Sequence, residues 1–565
     1  MSRRQTPRRS GAAAPPPAPA TRSRRDRWRG LLPFALVLGV VLALHGRSVG
    51  FDFTYLDDKT LILDQLAWLT RSTSLKETLG RGYLQSVDRD QAYYRPLVTL
   101  SYALDARRSG ERPFGYRLTN LLLFAGCPLL LLALLRRLPL HPGVALAGAL
   151  VFAVHPALTE AIAWIPGRND TLLTLFALAA WLLALRAFAH PSWWARLGHL
   201  LCFGAALLSK EPAVAVPLAV LAHLRLVEQR SWRELRAPWL WIGWALVLTA
   251  YTLARFNALS APLPRGGSGL TAALLLGRVS VIFSSLGKIV LPAQLAVLAI
   301  IRDTPVWPGL VATLALALAA LLLPGSRRGI AALGGLVALA FVLPGLLVAD
   351  TLILENRLVM PAVGVVLVAC GALDHLARQW PRAATASAGA LVALLALLTW
   401  RYSDDFRGRR PFAEAAVRGS PHAPLAWVHL GTTLQREGDV PGAERAYREV
   451  LRLDAREPIA HNNLGVLLLG QGRAAEAEGV LRTETVINPR YARAHFNLGL
   501  ALRQLGRLDQ AVACWERALE LEPENVDTLG QLLGAYQGRD PARARAIVER
   551  LSALGIQLAA PPPAP

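Results

Sequence analysis

From Leu31 to Trp400 the chain alternates long apolar runs with short connections rich in charge, glycine or proline, and beyond residue 401 the runs give way to amphipathic stretches of helical period. The runs 31–46, 118–135, 143–160, 170–188, 196–209, 212–227, 238–254, 308–323, 330–347, 358–376 and 383–400 predict about eleven helical membrane spans, the shorter ones completed by interfacial or re-entrant ends. Residues 272–300 are also apolar but are interrupted by Arg278, Lys288 and Pro292. They read as one span, a hairpin or an interfacial helix. The Arg-, Ala- and Pro-rich segment 1–30 lacks periodicity and is expected to be a disordered cytoplasmic tail. The apolar run after it has no small-residue cleavage site and is expected to stay as the first anchor.

The amphipathic C-terminal part has a fixed period. Leu430-Gly431, Leu464-Gly465 and Leu498-Gly499 are spaced by 34 residues, as are Gly438, Gly472 and Gly506, Ala443, Ala477 and Ala511, and the prolines Pro489 and Pro523. This is the period of tetratricopeptide repeats, pairs of antiparallel helices that stack into a superhelix. Residues 424–457, 458–491 and 492–525 form three full repeats within a module spanning 424–555, with 526–555 as a shortened cap. Residues 401–423 form a linker that includes a degenerate half repeat, and 556–565 a disordered Pro/Ala tail. The expected fold is therefore all-α: a polytopic helical membrane domain over 31–400, then an α-solenoid. Such repeats bind polypeptide and carry no chemistry of their own, and Asn462, Arg493 and Arg503 are the candidates for an acceptor-binding groove.

Hydrophobic residues make up 53% of the chain, with a mean hydropathy of +0.35. The net charge is +22, but nine arginines precede Gly30 and most others lie between apolar runs or on repeat helices. Much of the excess is thus topogenic, and nucleic acid is not an expected partner. The four cysteines, Cys127, Cys202, Cys370 and Cys514, form no CxxC pattern. Lysine is nearly absent while arginine is abundant, the bias of a GC-rich bacterial genome, so the expected location is a bacterial inner membrane. With the basic tail inside, Arg136-Arg137, Arg186 with Arg196, and Arg225 to Arg236 also fall inside. Arg327-Arg328 and Arg378 with Arg382 follow if residues 272–300 make no net crossing. The repeats, the loop 47–117, the segment from His155 to Asp170, the Lys210-Glu211 tip and the segment Glu355-Asn356-Arg357 then share the periplasmic face.

These outer segments hold the candidate chemistry. Asp57 and Asp58 follow the first span; adjacent carboxylates perturb each other's ionisation, which suits a general base or a ligand for a divalent metal. One aspartate capping a helix that starts near Lys59 is the equally simple structural account. His155, Glu160, Arg168 and Asp170 lie at a bilayer edge, and charges at a span centre cost about 2.5–3.5 kcal/mol each, so four together favour a polar cavity. A turn ended by Pro156 and capped by Asp170 explains some of them but not Glu160. Ser209-Lys210-Glu211-Pro212 connects two apolar runs, and Glu355-Asn356-Arg357 opens another. Such a set is suited to hold a phosphate against Arg168, Lys210 or Arg357 and to take a proton from a hydroxyl. A lipid-phosphate sugar fits it.

At these residues the sequence resembles the GT-C fold glycosyltransferases, and most closely the transmembrane and tetratricopeptide repeat-containing O-mannosyltransferases. The resemblance is carried by Asp57-Asp58, Tyr94-Arg95-Pro96-Leu97 with Ser101-Tyr102, and Gly115-Tyr116-Arg117-Leu118-Thr119-Asn120-Leu121. The His155-Pro156 to Asp170 segment, Ser209-Lys210-Glu211, Glu355-Asn356-Arg357 with Pro361, and the repeats continue it. It implies inverting transfer of a mannose-like hexose from a polyprenyl-phosphate donor to a protein hydroxyl, with Asp57 as the base and Asp58 orienting the acceptor or binding a metal. Arg95, His155, Glu160, Arg168, Asp170, Lys210, Glu211, Glu355 and Arg357 form the implied donor and substrate set. The arginine of Glu355-Asn356-Arg357 stands one place later than in the Glu-Arg-Tyr form of the family. Transfer to a lipid or envelope polysaccharide, and a non-catalytic membrane scaffold, are the competing readings; no cofactor beyond a divalent metal is implied.

Overall fold

The computed structural model describes residues 24–71, 75–80, 82, 93–259, 272–292, 294–347, 355–457 and 459–556. All but the first residue of the expected tail 556–565 and most of the tail 1–30 lie outside these residues. The first helix, Arg24–His45, starts inside the segment read as disordered. Every regular element among the described residues is helical.

Among the described residues, seven helical stretches are long and apolar enough to cross a membrane: Gly30–Gly50, Pro113–Leu135, Ile165–Ala189, Trp232–Ala258, Gly325–Val342, Glu355–Gln379 and Pro381–Phe406. The expected span 143–160 is not straight. It is built of Pro142–Ala153 and Pro156–Ala163, bent by 53°, because Pro156 pushes His155 into extended backbone. The remaining apolar runs form shorter helices: Trp193–Ser209, Val216–Ala222 between two irregular turns, and Trp307–Leu322. Small residues let neighbours touch along their backbones; a side chain on Gly334 or Gly364 would collide with the backbone of the facing helix.

The ambiguous stretch resolves into one helix, Ala272–Val290. Arg278 donates to the Leu346 carbonyl at 3.1 Å, and Lys288 pairs with Glu355 at 2.6 Å. Leu346 follows the helix Gly325–Val342 and Glu355 precedes Val359–Gln379, so both contacts lie at one end of that antiparallel pair.

The C-terminal part is a row of helix pairs, the first Pro424–Arg436 with Val440–Leu453 and the last Val526–Tyr536 with Pro541–Ala553. Gly438, Gly472 and Gly506 adopt φ values of +82°, +73° and +76° in the turn within each pair, a left-handed conformation that a β-carbon disfavours. Gly431, Gly465 and Gly499 lie under Tyr447, Leu481 and Trp515. The 34-residue period therefore marks one turn constraint and one packing constraint.

The superhelix is not tethered loosely. Phe406, Phe412, Ala415, Ala416, Ala423 and Ala426 bury themselves with Phe51, Trp164, Val297 and Leu298 of the membrane body. Asp303 accepts from the His422 backbone at 2.9 Å and pairs with its ring at 2.6 Å. Replacing Gly499 by valine forces a side chain into the Trp515 ring, which is expected to cost about 1–3 kcal/mol and lower the thermal midpoint of the purified protein. Gly479→Ala, where a β-carbon meets nothing within 4 Å, is the matched control that should leave the midpoint unlowered.

Candidate active site

The acidic pair does not act as a clamp, because consecutive residues on a helical turn diverge. Asp58 is buried and turns back on its own chain, accepting from the Thr54 amide at 2.7 Å and the Thr54 hydroxyl at 3.1 Å. It closes a tight turn in which Tyr55 takes the left-handed conformation, with φ of +60°. Burial pushes the Asp58 carboxyl above its usual range, opposed by these hydrogen bonds and by the Arg117 cation. It caps no helix, although the helical turn Lys59–Leu63 begins beside it. Asp57 is exposed on the outside of the same turn. Among the described residues no three His, Cys, Asp or Glu side chains converge as a metal site.

Arg117, on the helix Pro113–Leu135, holds this turn from the membrane side. Its guanidinium is fully buried and donates to the carbonyls of Asp52 and Ala163, and to that of Phe406 at 3.4 Å. The Asp52 amide donates to the Arg407 carbonyl at 2.9 Å. The turn is thus gripped between the membrane body and the start of the repeats.

Beneath it runs a chain of buried polar groups. Glu160 accepts the backbone amides of Glu355 at 2.8 Å and Asn356 at 3.1 Å through one oxygen. Glu355 accepts from Lys288 at 2.6 Å, from the Ala296 amide at 2.8 Å and from the Tyr402 hydroxyl at 2.8 Å. Asn356 donates to Asp170 at 3.0 Å, and Asp170 pairs with Lys210 at 2.5 Å. Burial draws the Lys210 ammonium down to about 8 against the pull of Asp170, with Arg95 and Arg357 adding to the shift. At the same tip Arg95 pairs with Glu211 at 3.0 Å. Burial works against the Glu211 carboxylate, yet Arg95 and Lys210 hold it below its usual range.

Two members of the expected donor and substrate set are otherwise engaged. Arg168 is fully buried, paired with Asp105 at 2.6 Å, and donates to Asn120, Ser101 and the Tyr116 carbonyl at 2.6, 3.0 and 2.7 Å. His155 accepts the Ala157 amide at 3.2 Å and donates to the Ile289 carbonyl at 2.7 Å, which fixes a neutral ring in a structural place. Arg357 differs from both. It is half-buried within electrostatic reach of Lys210, and makes no hydrogen bond or ion pair with the described residues. In the repeats Asn462 is buried and accepts from Asn497 at 2.8 Å. Arg503 is exposed, donates to Gln531 and lies over the Trp515 ring; Arg493 is exposed.

Sequence reasoning gave no role to Arg117, Asp105, Asn120, Lys288 or Tyr402. Arg117 carried a signal, a charge one turn into an apolar helix, and so did Lys288, one of only four lysines. Removing one member of a buried ion pair costs about 3–5 kcal/mol because the other is stranded. Lys288→Met should therefore lower the thermal midpoint in detergent, and adding Glu355→Gln should recover part of the loss.

Comparison with known proteins follows the same division. Residues 96–253 match the family described as dolichyl-phosphate-mannose-protein mannosyltransferase, and residues 428–492 and 492–525 match tetratricopeptide repeat families. Protein O-mannosyl-transferase TMTC2 of Homo sapiens is 34% identical over 187 residues, 32% of this chain and 22% of that protein. Protein O-mannosyl-transferase Tmtc1 of Drosophila melanogaster is 35% identical over 185 residues, 32% and 21% of the two chains. The matched stretch thus spans little more than a fifth of either relative. Among solved structures, MamA 41-end from Desulfovibrio magneticus RS-1 covers 27% of this chain and 85% of its own at 22% identity, with a TM-score of 0.24. The Arabidopsis OM64 TPR domain covers 20% and 96% at 21% identity, with a TM-score of 0.20. The chain accordingly resembles the transmembrane, repeat-bearing protein O-mannosyltransferases, in its membrane body by a mannosyltransferase-type segment and in its C-terminal part by tetratricopeptide repeats.

Proposed function

We propose that this protein is a membrane glycosyltransferase that moves a mannose-like hexose from a polyprenyl-phosphate donor to Ser or Thr hydroxyls of polypeptides on the non-cytoplasmic face. The observation that carries the reading is the placement of Asp57. It is exposed on a turn fixed by Asp58 and Arg117, beside the repeats and at the same end of the bundle as Arg357. That last relation follows from one short helix: Arg117 reaches the Ala163 carbonyl, and Glu160, one turn earlier, holds the amides of Glu355 and Asn356.

In this scheme the acceptor oxygen attacks the anomeric carbon as the bond from that carbon to the phosphate oxygen breaks. The phosphate leaves with the electron pair, and Asp57 takes the hydroxyl proton, so the anomeric centre inverts. Arg357 is the cation left to meet the phosphate, while Lys210 and Arg95 sit nearby with their charges answered by Asp170 and Glu211. Asp58, with both oxygens engaged by Thr54, keeps the turn in shape and takes no proton. The expected topology has an odd number of crossings, so the turn and the repeats face the periplasm of a bacterial inner membrane. The contacts of Arg278 and Lys288 at one end of the bundle support a helix Ala272–Val290 that makes no net crossing.

Radiolabelled hexose on a polyprenyl phosphate, incubated with membranes bearing the protein, should label envelope protein. Label in lipid or polysaccharide alone would instead assign a different acceptor. Asp57→Asn is expected to lower transfer about 100-fold or more with unchanged membrane level and thermal midpoint; undiminished turnover would remove Asp57 from the chemistry.

A further inference from the structure

Two cations at the root of the repeats stand beside the acidic turn without an ion pair to any described carboxylate. Arg409 opens the helix Arg409–Gly419, and its guanidinium carbon lies 3.9 Å from the centroid of the Tyr55 ring. Arg436 closes the helix Pro424–Arg436 and is exposed, within electrostatic reach of both Tyr55 and Arg409. Neither makes a hydrogen bond or ion pair with the described residues. Their neighbour Arg410 does, with Glu414 at 2.8 Å and Glu437 at 2.9 Å.

Stability does not account for this arrangement. A cation in the first turn of a helix opposes the helix dipole, and two guanidinium groups in reach of each other repel. Burial and then Arg436 depress the Arg409 guanidinium, with Tyr55, Asp58 and Asp52 acting the other way. An anion lodged between them would relieve both penalties.

We propose that Arg409 and Arg436 form an acceptor subsite that binds the carboxylate of an acidic residue flanking the Ser or Thr presented to Asp57. This rests on the glycosyltransferase reading for the word acceptor, but the subsite itself is a peptide-binding claim. A carboxylate of the polypeptide fits better than the donor phosphate for two reasons. The pair belongs to the repeat helices rather than to the bundle where a lipid tail must lie. Arg409 also lies within electrostatic reach of Asp52 and Asp58, beside which a single negative charge is tolerated more easily than a phosphate. The stacking of Arg409 on Tyr55 holds one cation against a residue two positions from Asp57 in the chain, so the carboxylate recognised is one close in sequence to the hydroxyl.

The test is fluorescence anisotropy with the full-length protein in detergent and two labelled Ser/Thr peptides, one with glutamate and one with glutamine beside the hydroxyl residues. At low salt the glutamate peptide should bind about five- to tenfold more tightly, and the margin should shrink as salt is raised. The double variant Arg409→Gln/Arg436→Gln should abolish the preference, whereas Arg409→Lys/Arg436→Lys, which keeps the charge, and Arg410→Gln should retain most of it. Equal binding of the two peptides by the unaltered protein, or a preference that persists in the glutamine double variant, would overturn the proposal. So would a raised KM for the lipid donor in that variant with the peptide preference intact, which would give the cations to the phosphate. Because binding is read without turnover, a glutamate preference in a protein that transfers no sugar would leave the subsite standing and remove only the enzymatic reading.

Discussion

A single carboxylate oxygen of Glu160 receives two backbone amides from a helix nearly two hundred residues away. In a medium where an unpaired polar group is heavily penalised, that contact obliges its neighbours to find partners as well. Glu355 is turned so that its side chain meets Lys288 and Tyr402; Asn356 is turned toward Asp170, which takes Lys210. Five segments far apart in sequence are therefore drawn to one point, and the acidic turn is seated above it by Arg117.

The bend between Pro142–Ala153 and Pro156–Ala163 belongs to the same economy of partners. A straight helix would carry Glu160 onward along the bundle axis, whereas the break at His155-Pro156 lets the short second half lie across the end of the bundle. Its side chains and freed carbonyls then face neighbouring helices. Asn120 donates to carbonyls on both sides of Trp164, and Arg117 to that of Ala163. The motif around Tyr116 is thus a receptor for exposed backbone, which explains polar residues in an otherwise apolar helix.

Much of this was legible in the sequence. Apolar runs marked the bundle, the 34-residue period marked the superhelix, and each polar cluster at a run's end proved to lie at a helix terminus. What one-dimensional reading could not supply was pairing. Arg168 and Lys210 look alike as cations beside a bilayer, but the first is enclosed by Asp105, Asn120 and a carbonyl, while the second pairs with Asp170 within electrostatic reach of Arg95 and Arg357. Asp57 and Asp58 are adjacent letters with opposite fates, because a turn of helix sends one inward and the other out. Lys288 interrupts an apolar run, and only its meeting with Glu355 explains why it is there.

The hydrogen bonds and ion pairs that join the repeats to the bundle among the described residues cluster at positions 404–429. Everything beyond the first helices hangs from that root, and a solenoid's units interact with their nearest neighbours alone. Units gained or lost at the distal end would alter how far the arm extends and how long a chain it could cradle, without disturbing the geometry at its base. Extension at the tip and geometry at the root are thereby separable properties.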